Sequence, residues 1–330
     1  MLAAHWQDYW ANGGRGDLAI GAFEQRKFLA AHWRATFSAR LLPSSALILD
    51  IASGDGAALS IAAECLEQIG RRARLLTSDA APAAVRSAVN NVPGALGLAA
   101  DAARLPLADD AASLVVSQFG IEYAGLGAFA EAARVLARDG VFSAICHIKD
   151  GVIDRECAEN ARLLTLMRDY DLLPSGAAAF GDFYRKGFAC GEVEQRFRIA
   201  VQEFIGVLLA APDSAAKRFL TQIMHDVSHM SARRSAYEPA DAGAWFARTG
   251  DALSLYLQRM QSMRQAAMDS ERIGAVAEVF YTAGFNLFEA RAVAFSDGGE
   301  MAAWRIEAET PRTPIWNADA GARALSALSV

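Results

Sequence analysis

The chain lacks a basic stripe. Its 330 residues carry 32 Lys and Arg against 38 Asp and Glu, a net charge of −6, and the isoelectric point is about 5.5. A protein that grips a nucleic-acid backbone usually gathers cations on one face. The densest clusters here, Arg71-Arg72 with Arg74 and Arg233-Arg234, read as solvated helix ends, so no nucleic acid and no anionic membrane is expected as a partner. Cysteine is scarce: Cys65, Cys146, Cys157 and Cys190 stand apart with no CxxC spacing. That fits free thiols in a reducing compartment and argues against a zinc site or a disulfide framework. The histidines His5, His32, His147, His225 and His229 offer one ligand-like spacing, His225 with His229. It lacks the Glu of an HExxH helix, so no metal is expected. No uncharged apolar run reaches the about 20 residues of a membrane span. Met1 to Trp10 lacks the basic and apolar regions of a secretory signal. A cytoplasmic protein is the expectation, with a homodimer left open.

What is present is a globular composition, 53% hydrophobic and 21% charged. Five regions can be told apart. Residues 1–42 carry Trp6, Tyr9 and Trp10 before an Asn12-Gly13-Gly14 break, then apolar residues near helical spacing, and read as two helices closed by Pro43. From about 46 to 147, short apolar runs alternate with helical stretches, the pattern of βαβ units around a parallel sheet. The runs are Ala46–Ile51, Ala73–Ser78, Ala95–Ala100, Ser113–Gln118 and Gly140–His147. Between them lie the helical stretches Ala57–Gly70, Pro82–Asn90 and Leu126–Ala137. Residues 151–270 break the alternation with helical patterns at about 154–172, 192–211, 213–231 and 240–268, and with Pro174, Pro212 and Pro239 in the breaks. They read as a helical cap inserted after the fifth strand. A further helix, Arg272–Ala283, precedes two strand-like runs, Leu287–Phe295 and Met301–Ala308, around Asp297-Gly298, a hairpin signal. Residues 311–330, with Pro311 and Pro314, read as a surface tail.

The strongest local signal is Leu47-Ile48-Leu49-Asp50-Ile51-Ala52-Ser53-Gly54-Asp55-Gly56. An apolar strand runs into a Gly-x-Gly turn that opens a helix, where backbone can approach a ligand and helix amides point at it. An ordinary βα turn is the competing reading. The dinucleotide fingerprint G-x-G-x-x-G fails, because its third glycine falls on Leu59.

Asp50-x-x-x-Gly54-x-Gly56 resembles motif I of the class I S-adenosylmethionine-dependent methyltransferases. Ala52 stands where a first glycine is usual, as in the ubiquinone/menaquinone C-methyltransferases. The family's other motifs follow in order: Asp79 with Ala80 at the second strand's end, Asp101-Ala102 before Leu105-Pro106-Leu107, Asp110 to Phe119, and Arg134 to Gly140. In the last, Arg-Asp-Gly replaces the usual Pro-Gly-Gly. The resemblance covers roughly 46–148 and 271–308. It implies a doubly wound, mostly parallel seven-stranded α/β sheet with a terminal hairpin, the cofactor domain being 43–150 with 271–310. It implies S-adenosyl-L-methionine as cofactor and S-adenosyl-L-homocysteine as product. Asp50, Ala52, Ser53, Gly54, Gly56, Asp79, Ala80, Asp101, Ala102 and Gln118 are then the cofactor contacts, with Asp79 on the ribose hydroxyls and Asp101 on adenine. Trp10 either lies against the sulfonium or only packs its helix.

Ligands in doubly wound folds bind at the C-terminal edge of the sheet, which places Glu122, Tyr123 and His147 toward the methyl acceptor. His147 is the first choice for a base, since imidazole titrates near neutrality; a purely structural bond at the cap's hinge is the alternative. Glu122 and Tyr123 alternatively cap and pack. A cap over the site favours a small-molecule acceptor, with Phe180, Phe183, Tyr184, Phe188, Phe204, Trp245, Phe246, Met260 and Met263 as either pocket lining or cap core. A protein or RNA methyltransferase, and a non-catalytic cofactor-binding protein, are the competing readings.

Overall fold

The computed structural model describes residues 4–12, 14, 22–38, 45–189 and 191–310. The expected tail and the close of the first region fall outside these residues. Two helices lead, α1 (Ala4–Ala11) and α2 (Ala22–Ser38), followed by the alternating segment. Its members are β1 (Leu47–Ile51), α3 (Ala57–Gln68), β2 (Arg74–Asp79), α4 (Pro82–Asn91), β3 (Leu96–Ala99), β4 (Ala112–Gln118), α5 (Leu126–Val135) and β5 (Leu136–His147). β1 is buried at every position, as expected of a central parallel strand covered on both faces. A short 3-10 helix, Ile121–Ala124, links β4 to α5.

Five consecutive helices follow β5: α6 (Val152–Asp169), α7 (Leu172–Lys186), α8 (Glu192–Ala210), α9 (Ala215–Ala232) and α10 (Pro239–Ala266). α7 occupies a stretch read from the sequence as a break around Pro174. Proline is tolerated there because it falls in the first turn, where backbone N–H groups have no intrahelical partner. Then come α11 (Ser270–Thr282), β6 (Leu287–Val293) and β7 (Ala303–Glu309).

The strands form one seven-stranded sheet in the order β3-β2-β1-β4-β5-β7-β6. β1 to β5 pair in parallel, and β7 runs antiparallel between β5 and β6. The sheet is therefore mixed, with the expected terminal hairpin. Its connection spans residues 294–302 rather than a two-residue turn, although Gly298 does sit at φ 70°. Helices cover both faces: Phe129 of α5 and Phe280 of α11 belong to one buried cluster, Trp33 of α2 and Leu59 of α3 to another. The five helices after β5 have their own cluster, which includes Phe180, Phe204 and Phe246. No helix among the described residues is long and apolar enough to cross a membrane.

Candidate active site

The chain order reverses between β1 and β4, and a crevice opens beyond the carboxyl ends of these strands, as it does in open α/β sheets. The turn after β1 is held in demanding backbone. Ala52 takes φ 53° and Gly54 φ 56°, a region that costs an alanine roughly 1–2 kcal/mol. Gly56, at φ 81°, precedes α3. One side chain, Trp10, and one backbone segment, at Gly120, close on this turn. A Cβ on Gly54 would lie 2.6 Å from the Trp10 ring, and one on Gly120, after β4, would lie 2.4 Å from the Ala52 carbonyl oxygen. Both glycines are required by close approach. The Ser53 amide donates to the Ser78 carbonyl, and the Ser53 and Thr77 hydroxyls share a hydrogen bond.

Asp79 ends β2. Its carboxylate accepts from the Gly54 amide at 3.0 Å and the Ala81 amide at 2.8 Å. Burial raises its pKa, and the amides of Ala81, Gly54 and Ala80 pull the other way. Asp101 accepts from the Ala103 amide at 2.9 Å. Asp50 is only 1% exposed. Burial pushes its carboxyl well above the ordinary range, Asp79 and Asp55 add to this, and the Leu59 amide offsets part. Neither Asp50 oxygen has a well-formed hydrogen bond.

These elements enclose a cavity of about 680 Å³, within the range of ligand sites. Of the residues singled out in the sequence, Trp10, Ala52, Asp79, Ala80, Asp101, Ala102 and Tyr123 line it. Asp50, Ser53, Gly54, Gly56, Glu122 and His147 stand behind or beside that lining. Gln118 points elsewhere, accepting a 2.6 Å hydrogen bond from the Trp33 indole of α2. Trp6, Phe119, Gly120 and Ser262 also line it, with four alanines, Ala99, Ala100, Ala103 and Ala124. Ser262 lies on α10, far along the chain, and no local pattern marks it.

An edge-to-face series joins the wall to α1: Tyr123 with Trp6 at 5.2 Å, Trp6 with Tyr9 at 5.7 Å, and Tyr9 with Trp10 at 4.9 Å between ring centroids. The Arg259 guanidinium of α10 stacks on Tyr9 at 5.3 Å and on Tyr256 at 5.1 Å, which ties α1 to α10. Trp10 thus belongs to the cavity rather than only to its own helix.

Beside this cavity lies a buried pair. Glu122 Oε1 accepts from His147 Nδ1 at 2.8 Å and from the His147 backbone amide at 3.0 Å. Both side chains are almost fully buried. The His147 ring packs on Phe119 at 4.6 Å and meets Tyr123 edge-on at 5.9 Å. Burial, Glu122, Cys157 and Tyr9 push the Tyr123 hydroxyl well above its ordinary pKa. At neutral pH Tyr123 is a neutral phenol and not a base. Burial and Glu122 do the same to the Cys146 thiol, so Cys146 is no nucleophile.

The aromatics of the helices after β5 divide from the site. Phe180, Phe204, Phe246 and Met260 are core, with Tyr184, Trp245 and Met263 packed against it, and Phe188 is exposed. None of them, nor Phe183, lines the large cavity. The His225 ring is near Asp226 and His229 meets the Tyr237 hydroxyl, and neither is in the cavity lining.

Residues 49–144 match the family described as "Methyltransferase domain". No curated protein matches the chain. Among solved structures, a candidate S-adenosyl-L-methionine-dependent methyltransferase of Methanococcus maripaludis is similar at 12% identity over 96% of this chain and 98% of that one, with a TM-score of 0.41. A candidate exported protein of Bordetella parapertussis is similar at 12% identity over 94% of this chain and 80% of that one, with a TM-score of 0.45. The third is from the complex between the Haloferax volcanii Trm112 methyltransferase activator and a candidate methyltransferase. It is 22% identical, with 46% of this chain and 63% of that one covered and a TM-score of 0.36. This chain therefore spans less than two thirds of that relative.

Proposed function

We propose that this protein, whose residues 49–144 match a methyltransferase-domain family, is a class I S-adenosylmethionine-dependent methyltransferase that transfers the methyl group to a small-molecule acceptor held beneath the helices after β5. The observation that carries the reading is the cavity wall: two strand-tip carboxylates, Asp79 and Asp101, share it with Trp10, Ala52 and Gly120, and the Trp10 ring packs so closely on Gly54 that no side chain fits there. The residues fit an adenosyl sulfonium. Asp79 offers acceptor oxygens to ribose hydroxyls, Asp101 and the Ala102 amide suit adenine, and the Ala52–Gly54 turn suits the amino-acid end. The Trp10 and Trp6 faces suit a cation.

When bound, S-adenosylmethionine supplies a methyl group already activated on sulfur. The chain's own task is to orient the acceptor, exclude water and take a proton where the acceptor carries one. The Glu122–His147 pair is suited to the last step. Glu122 Oε1 fixes the ring by its Nδ1 side and fixes the His147 backbone as well, which leaves Nε2 as the ring's basic position. Glu122 and Tyr123 face a cavity where His147 does not.

The reading is tested with a cell extract split by dialysis into small molecules and macromolecules. Each fraction is incubated with the protein and methyl-labelled S-adenosylmethionine. Label in the dialysable fraction is the expected result. Label in protein or RNA overturns the small-molecule acceptor, and cofactor binding without transfer to either fraction favours the non-catalytic alternative.

A further inference from the structure

Helix α1 lies against both α10 and α4. Its Trp6 and Trp10 rings line the large cavity, and the Trp10 ring sits over Gly54 in the turn after β1. The helix has only 8 residues, and so short a helix is not stable by itself in water. Its place over the cavity therefore depends on what its inner face meets on α10. Tyr9 stacks there on the Arg259 guanidinium at 5.3 Å. One turn earlier, His5 is 7% exposed, and its ring centroid lies 5.6 Å from that of Trp6.

His5 is the odd member of this interface. Its Nε2 is buried with no hydrogen-bond partner. Burial, then the positive charge of Arg259, holds its pKa below the ordinary 6.5, while a side-chain hydrogen bond with Gln258 of α10 pulls the other way. Among the described residues no carboxylate acts on it. Asp8 of α1 accepts from Asn12. Arg86, the charged residue of α4, is exposed, and Glu122, next to the Tyr123 that meets Trp6, is taken by His147. An imidazolium at this position is a buried charge beside another cation, with nothing to pair it.

The geometry points to α1 as a pH-sensitive cover: it stays docked on α10 over the large cavity while His5 is neutral, and it is released when His5 takes a proton. The inference rests on the methyltransferase reading for the identity of what is covered. A neutral ring fits the docked helix and a charged one is better solvated in the open helix, so acid shifts the population toward the open state. The docked state holds the proton less well, so docking is complete above pH 6.5, the ordinary histidine value, and is lost as pH falls below it. With the helix go Trp6 and Trp10, and the cavity loses that wall. Cofactor affinity therefore falls in acid.

The test uses the full chain and His5→Phe, which keeps a flat ring and cannot take a proton. Two readouts are compared at about pH 7.5 and about pH 5.5, a span that brackets the histidine range. The first is deuterium uptake by residues 4–11 without ligand, corrected for the intrinsic exchange rate at each pH. Protection of this helix is expected to fall about threefold or more in acid in the unsubstituted chain and to stay level in His5→Phe. The second is the calorimetric Kd for S-adenosylhomocysteine. It is expected to rise about fivefold in acid, inside the tenfold per pH unit that one proton allows, and by less than about twofold in His5→Phe. Equal protection of α1 at both pH values overturns the inference. So does the same rise in Kd in both proteins, which would place the acid effect on Asp79 or another group. Exchange in the unsubstituted chain decides the matter if the variant misfolds. Absence of S-adenosylhomocysteine binding at either pH sinks the methyltransferase reading, while the exchange readout still tests the cover.

Discussion

Ala52 holds φ 53° without being a glycine, and its carbonyl oxygen is the atom a side chain on Gly120 would strike. Strain at such a residue is tolerated when the surroundings over-determine it. Ala52→Gly relieves it, against a glycine entropy cost of about 0.5–1 kcal/mol, so thermal melting is expected to show an unchanged or higher Tm. A fall of several degrees would show that the Ala52 methyl packs more than it strains. His147 makes the complementary case. Its ring touches Glu122 and two residues of the large cavity's lining, Phe119 and Tyr123, but is not itself part of that lining. His147→Ala is therefore expected to lower turnover by roughly 10²-fold or more, the scale of acid–base catalysis, with the cofactor Kd little changed. Turnover at the wild-type level in that variant removes the proton-transfer role. At this scale the site was half legible. Asp79 and Asp101, expected at the site from their places at strand ends, do line the cavity. The pairing of Glu122 with His147 was not readable, since it depends on β4 and β5 ending side by side. Gln118 was assigned to the cofactor by its place in a motif, and the Trp33 indole takes its side chain instead.

The elements were most legible where hydrophobic period and punctuation agreed, as in β1, α3 and α4, which begin and end within two residues of their expected bounds. α7 was hidden. Its Pro174, Gly176 and Gly181 lower local helix preference against the favourable run of alanines, and tertiary packing decides instead. A Cβ on Gly176 would meet the Phe246 ring at 2.6 Å and Phe197 at 2.9 Å, so this glycine serves the approach of α8 and α10. Another cap device is the buried pair of Arg234 with Glu194 of α8, at 2.6 and 3.1 Å. The guanidinium also stacks on Phe180 of α7 at 4.5 Å. Glu194→Ala leaves a buried cation unpaired, a change that costs about 3–5 kcal/mol. Chemical denaturation is expected to show that loss, while S-adenosylhomocysteine binding persists below the new transition. A loss under about 1 kcal/mol would mean that the pair is only a surface contact.

At the scale of the whole molecule, the site is assembled from parts distant in sequence: α1, the strand tips and Ser262 of α10. The sheet order was legible from motif order, but the arrival of α10 was not, because no periodicity encodes which face of a 28-residue helix meets a cavity. The cap aromatics illustrate the same limit, since lining and core share one composition. Packing of α2 on the sheet also leaves a pH signature. Burial, then Arg305 of β7, lowers His32 from the ordinary 6.5 to about 4. The neutral imidazole is favoured by folding, so its contribution is complete above pH 6.5 and is lost as pH falls from there toward about 4. Denaturation midpoints are expected to decline across that window, and His32→Gln to flatten the decline. An unchanged slope would remove His32 as its source.

The central claim is that the strand tips and the Trp10-covered turn form an adenosyl cradle. Calorimetric titration of the full chain with S-adenosylhomocysteine tests it directly, with Asp79→Ala alongside. Binding at one site per chain, weakened about tenfold or more in the variant as expected for lost hydrogen bonds to a charged group, is the predicted result. No binding to the wild type, or equal binding by both proteins, contradicts it.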